Sequence, residues 1–150
     1  MIVARPEAVT PMTMMVLAIR LYDVGLRDDA VFWFYASKDR FQTLTEVAVP
    51  NAPQLETAAT AMRDFNALAG PIINGYAFCN LTMQQATLSR ATAWVEANPY
   101  EAVFKERLPA RTTNRAAALA EAIKIAKASA ANERAYFNDA TNASQFAAAR

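Results

Sequence analysis

The feature that most constrains this chain is the imbalance between its alanines and its glycines, 34 against 3 in 150 residues. Alanine has the strongest helix propensity, whereas glycine is the usual residue wherever a turn needs a positive φ. Such a chain is suited to helices that approach one another closely, not to sheets joined by tight hairpins. Prolines at positions 6, 11, 50, 53, 71, 99 and 109 divide it into helical lengths. A hydrophobic content of 54% excludes disorder, and 150 residues are enough for one buried core. The expected fold is all-α: a single domain over residues 1–150, with five to six helices packed as antiparallel hairpins.

Local signals place the elements. Thr10-Pro11 pairs a capping hydroxyl with a proline at the first helical position, and Gly25 offers a left-handed stop. A second helix is expected from Arg27 to about Leu44, with Asp28 and Asp29 in its first turn. The stretch from Phe41 to Val49 reads either as a frayed helix end or as a short extended piece. A third helix should run from Pro53 to about Leu68 and end at Gly70-Pro71. Its stripe is Leu55, Ala58, Ala59, Met62, Phe65 and Ala69. Residues 71–81 are apolar, with Asn74-Gly75 as a turn. Thr82 and Gln85 read as a capping box for a fourth helix reaching Ala97. A short fifth helix from Pro99 to Leu108 and a long one over 114–137, capped by Thr112 or Thr113, complete the set. Residues 138–150 read as a frayed tail. The expected core holds Leu17, Leu21, Phe34, Met62, Phe65, Ile73, Leu88, Trp94, Leu119 and Ile123.

The complete absence of histidine narrows function more than anything else. It removes serine and cysteine nucleophile systems based on His, His general acid–base catalysis and His-containing zinc sites. The lone Cys79 makes neither an internal disulfide nor a thiolate cage, and its apolar neighbours Phe78 and Leu81 mark it as an inert core thiol. No cofactor or metal is expected. No segment reaches the ~20 apolar residues of a membrane span, and the N-terminal stretch makes a poor signal peptide. A cytoplasmic protein is expected, or a periplasmic one if a signal was removed before residue 1.

Residues 17–37, LAIRLYDVGLRDDAVFWFYAS, carry an interlock of small and large side chains. Leu17, Ala18, Leu21, Gly25, Ala30, Phe34 and Ser37 sit where two helices of a hairpin would mesh. Over residues 13–40 the chain resembles a single tetratricopeptide/Sel1-like helical hairpin. The resemblance implies that hairpin and a role in protein–protein binding. No second repeat follows about 34 residues later, so the family's peptide groove is not implied.

Several residues are candidate site positions. Phe32-Trp33-Phe34-Tyr35 wraps most of a helical turn, so its rings cannot all face one neighbour. Either the helix is central and contacted from several sides, or Trp33, with Tyr35, Asp28 and Asp29 nearby, meets a protein partner. Asp23, Asp28 and Asp29 serve as helix-end charges or, in an enzyme, as paired carboxylates. Arg111 and Arg115 at the start of the last long helix are an anion-binding candidate. The last third holds 8 basic and 5 acidic residues, interleaved and without an aromatic platform, so nucleic acid is not the expected partner. Asn74-Gly75-Tyr76 and Trp94 either line a small pocket or are core. No catalytic residue is assigned. The expected function is a non-catalytic protein-binding module, similar by class to bacterial immunity proteins that neutralise a toxin by occlusion. The alternative is a helical domain that binds a small molecule, or an enzyme working without His.

Overall fold

The computed structural model describes residues 4–148. Six α-helices account for most of them: α1 Pro11–Asp23, α2 Arg27–Val47, α3 Pro53–Ala77, α4 Leu81–Ala97, α5 Arg115–Asn138 and α6 Ala140–Ala148. Short 3-10 turns at Pro6–Ala8 and Glu101–Phe104 precede α1 and follow α4. The all-α, single-domain expectation holds, and no strand occurs among the described residues. One isolated antiparallel bridge, Ala48 to Ala110, resolves the ambiguous stretch: α2 stays helical to Val47, then pairs briefly.

The helix starts follow capping chemistry. The Thr10 hydroxyl accepts from the Thr13 amide at 3.0 Å, with Pro11 at the first helical position. Gly25 turns the chain into α2 at φ +88°. Asn80 and Asn114, rather than Thr82, Thr112 or Thr113, cap α4 and α5, each accepting at 3.0 Å from the amide three residues on. From Ala30 to Arg40, α2 is enclosed apart from exposed Lys38 and partly buried Phe32 and Asp39. Seven of the eight residues from Ala30 to Ser37 are buried, because α1, α3, α4 and α5 all pack on this one helix.

Three expectations fail for physical reasons. The third helix does not end at Gly70-Pro71 but continues to Ala77. Pro71 removes one amide, and the carbonyl it orphans belongs to exposed Ala67, where water can satisfy it. Beyond the proline, Ile73 and Ala77 are fully enclosed, which holds the extra turns in place. Gly70 is buried against the Phe34 ring, and a Cβ there would make only ordinary van der Waals contact, 3.8 Å from the ring tip. The expected fifth helix is only the 3-10 turn Glu101–Phe104. Within the tail expected to fray, Ala140–Ala148 form α6. Asp139 accepts from the Thr141 and Asn142 amides, and the Phe146 ring packs on Phe137 and Phe78 at 5.1 and 5.7 Å.

Arg40 is the unexpected residue of the interior. It is fully buried, yet among the described residues no carboxylate makes an ion pair with it. Its Nη1 donates to the carbonyls of Pro6 and Val9 at 2.6 and 2.9 Å, and its Nη2 to that of Asn98 at 2.5 Å. The guanidinium also lies 4.8 Å from the Trp94 ring centre and 5.4 Å from that of Tyr100. Burial pushes its pKa down to about 10, so it remains charged at neutral pH.

Two stability outcomes follow from this core. Trp33→Ala and Phe34→Ala should destabilise to a similar degree, each by about 3–5 kcal/mol in urea denaturation. Arg40→Met should cost on the order of 3 kcal/mol, because three carbonyls lose a charged donor at once. Arg40→Lys should recover only part of that loss, since an ammonium cannot reproduce the planar fork.

Candidate functional site

The residues singled out from sequence do not assemble into one site. Trp33 is 5% exposed and packs edge-on to Trp94 and Phe32, with ring centres 5.1 and 5.2 Å away. Tyr35 is 6% exposed. The partner-binding expectation for both rings is therefore corrected: they are core, because α2 is surrounded. Asp28 and Asp29 lie exposed at the start of α2. Asp28 accepts a 2.7 Å hydrogen bond from the Tyr76 hydroxyl, and the Arg27 guanidinium sits over the rings of Tyr22 and Tyr76. That cluster ties the tip of the first hairpin to α3.

Arg111 and Arg115, the expected anion-binding pair, both donate to main-chain carbonyls. Arg115 donates to the carbonyls of Val103 and Leu108 at 3.0 and 2.7 Å, clasping the loop before α5. Arg111 donates from Nε to Ala48 and from Nη2 to Thr45, at 2.7 and 3.2 Å. Both guanidinia thus serve main-chain acceptors, Arg111 those at the C-terminal end of α2. Cys79 is exposed rather than buried. Asn74 and Tyr76 lie inside α3, and Trp94 is partly buried and packs against the core. Among the described residues no group of three or more His, Cys, Asp or Glu side chains is placed to hold a metal. No helix is long and apolar enough to cross a membrane.

A polar knot links four helices beneath the surface. Gln84, 1% exposed, donates from Nε2 to the Tyr35 hydroxyl at 3.1 Å and to Glu133 at 2.7 Å. Tyr35 in turn donates to Asn74 at 3.3 Å. Burial is the main reason its pKa rises to about 12. Nearby, burial also raises the Asp39 carboxyl, whose hydrogen bond from the Thr92 hydroxyl and the adjacent Lys38 charge work the other way.

The surface feature with binding geometry lies elsewhere, between α2 and the first half of α3. Lys38, Gln42 and Thr45 stand four and three residues apart on α2, and Ala59, Arg63 and Asn66 repeat that spacing on α3. Each trio therefore shares one helix face, and the two faces confront one another. Between them is a hollow of about 370 Å³ floored by Phe41 and Met62. A second hollow, about 710 Å³, adjoins it through the shared residues Thr45, Ala59 and Arg63 and runs past the Val49–Pro53 turn to Arg111. Small side chains at Ala52 and Ala59 leave this space open. Asn51 holds the turn in the left-handed region at φ +57°.

The groove is electrostatically one-sided. Lys38, Arg63 and Arg111 line it against one carboxylate, Glu56, which sits in the first turn of α3 where the helix dipole favours it. Neither Lys38 nor Arg63 has an ion-pair partner among the described residues. Sequence reading missed these residues because isolated basic positions on amphipathic helices look like ordinary solvated faces. The usable signal was the matching four-and-three spacing on consecutive helices.

No family model matches the chain, and no solved structure matches it. An uncharacterized protein of Haemophilus influenzae is 41% identical over 117 residues, which cover 78% of this chain and 45% of that protein. The chain thus spans about half the length of the curated relative it matches.

The polar knot sets the alkaline behaviour. A buried tyrosine whose folded pKa is about 12 against an ordinary 10.0 stabilises the fold fully below pH 10. That contribution is lost as pH rises from 10 towards 12, where the unfolded chain ionises first. Stability measured by urea denaturation should fall across this window more steeply in the native protein than in Tyr35→Phe.

Proposed function

We propose that this chain is a non-catalytic protein-binding module that receives an acidic segment of a partner protein in the groove between α2 and α3. The observation that carries the reading is the pairing of two cations that make no ion pair among the described residues, Lys38 and Arg63, with the apolar floor of Phe41 and Met62. Carboxylates on the partner would meet charges that already stand at the rim, and its apolar side chains would cover the floor. The amide and carbonyl groups of Gln42 and Asn66, which make no side-chain hydrogen bond, add donors and acceptors between the charges. The hairpin resemblance over residues 13–40 supports the same role. Occlusion of a toxin's functional surface is the specific form of that role suggested by the similarity in class to immunity proteins. An exposed lone thiol at Cys79 suits a reducing compartment, which supports a cytoplasmic setting.

Selection from a random peptide-display library against the native protein tests this. Selected peptides should be rich in Asp and Glu beside aliphatic residues, and their affinity should fall as ionic strength rises. The double variant Lys38→Glu/Arg63→Glu should keep its melting temperature and lose about tenfold or more in affinity. Peptides without acidic enrichment, or equal affinity for the double variant, would overturn the proposal.

A further inference from the structure

We infer that a separate hollow on the neighbouring face of α3 is a binding site for a small molecule with an apolar body and one terminal carboxylate. The cavity measures about 290 Å³, near the lower end of the range for small-molecule sites. Its walls come from four parts of the fold: the start of α1, Leu44 on α2, the first turns of α3 and the 100–108 loop. Met12, Leu44, Leu55, Ala58 and Leu108 make its lining mainly apolar.

Three polar side chains line the same cavity: Gln54, Tyr100 and Arg107. None of their head groups has a hydrogen-bond partner among the described residues. Gln54 and Arg107 are exposed and Tyr100 is partly buried, which places an apolar interior beside a polar mouth. The guanidinium, the phenol and the side-chain amide all offer donors, and a carboxylate offers acceptors only. The Arg107 charge is felt at the Tyr100 hydroxyl, whose pKa burial nonetheless raises, so the phenol is a donor at neutral pH. Neither Glu101 nor Glu106, the carboxylates nearest Arg107 in the chain, makes an ion pair with it among the described residues. Glu101 is already paired with Arg5 at 3.2 Å and Lys105 at 3.8 Å. A cation in the mouth would therefore meet Arg107 without compensation, and a neutral chain would gain only the apolar lining.

Octanoate, 1-octanol and octylamine, all below their aggregation limits, are the probes. They share one chain and differ in the head group. Octanoate should bind saturably and raise the melting temperature with concentration, octanol should bind more weakly, and octylamine should not bind measurably. Intermolecular NOEs from the octanoate methyl should reach Met12 and Leu55. Arg107→Gln should weaken octanoate by about tenfold while leaving octanol unchanged, and Ala58→Trp should fill the cavity and abolish both. If Ala58→Trp fails to fold, the NOEs on the native protein decide the location. Lys38→Glu/Arg63→Glu, which destroys the groove's charge, should leave octanoate binding intact, since this inference does not depend on the groove. Equal binding of octylamine, NOEs to other parts of the surface, unchanged affinity in Arg107→Gln, or no saturable octanoate binding would each overturn it.

Discussion

Arg40 is the constraint on which the arrangement of the fold depends. A guanidinium removed from water needs acceptors for its donors, and here Nη1 and Nη2 find them in carbonyls from two distant stretches of chain rather than in a carboxylate, while Nε has no partner among the described residues. Pro6 and Val9 lie before α1, and Asn98 lies just after α4. One side chain on α2 therefore fixes where the N-terminal segment ends and where α4 releases the chain. The rings of Trp94 and Tyr100 close over it. The walls of the apolar cavity inherit this placement, because Pro11 and Tyr100 both line it. The alternative, an apolar residue at position 40, would take the guanidinium donor from the Val9 and Asn98 carbonyls and leave that of Pro6 only the Val9 amide at 3.4 Å.

The helical skeleton was legible because its signals are local. The Thr10-Pro11 start, the Gly25 stop and the proline at position 53 act through φ preferences and amide satisfaction within a few residues. The failures share one cause: tertiary contacts outvote local preference. Gly70-Pro71 reads as a terminator, yet Phe34 lies against Gly70, and Ile73 and Ala77 beyond it are enclosed. Residues 138–150 read as small and polar, yet the Asp139 cap and the meeting of Phe146 with Phe137 and Phe78 hold α6 together. Arg40 itself, an isolated basic residue in sequence, gave no sign that it would be buried.

The candidate site was legible only in part, for a different reason. Trp33 and Tyr35 drew attention as a run of aromatics, and a run on a helix faces every direction. It points outward only if some direction is left free, and around Trp33 and Tyr35 the helices packed on α2 leave both rings buried. Arg111 was picked as a cation near a helix start. It does line the groove, although its donors are turned to the carbonyls of Ala48 and Thr45. Lys38 and Arg63 become a feature only once α2 and α3 are brought face to face, which no single-helix pattern encodes.

Both hollows border the first half of α3, and this follows from how that helix is held. Its second half is anchored by Gly70 against Phe34, by enclosed Ile73 and Ala77, and by Tyr76 bonded to Asp28. Its first half is held by Met62 and Leu55 and otherwise presents alanines and polar side chains. Alanine at 58 and 59 supports the helix but fills little volume, so space remains on two adjacent faces. On one, Gln54, Leu55 and Ala58 border the apolar cavity. On the other, Ala59, Arg63 and Asn66 border the basic groove. A wall common to two hollows ties their dimensions together, since displacing the first turns of α3 widens one at the expense of the other. Leu55, which lines both the apolar cavity and the larger hollow of the groove, is the side chain through which that exchange is most direct.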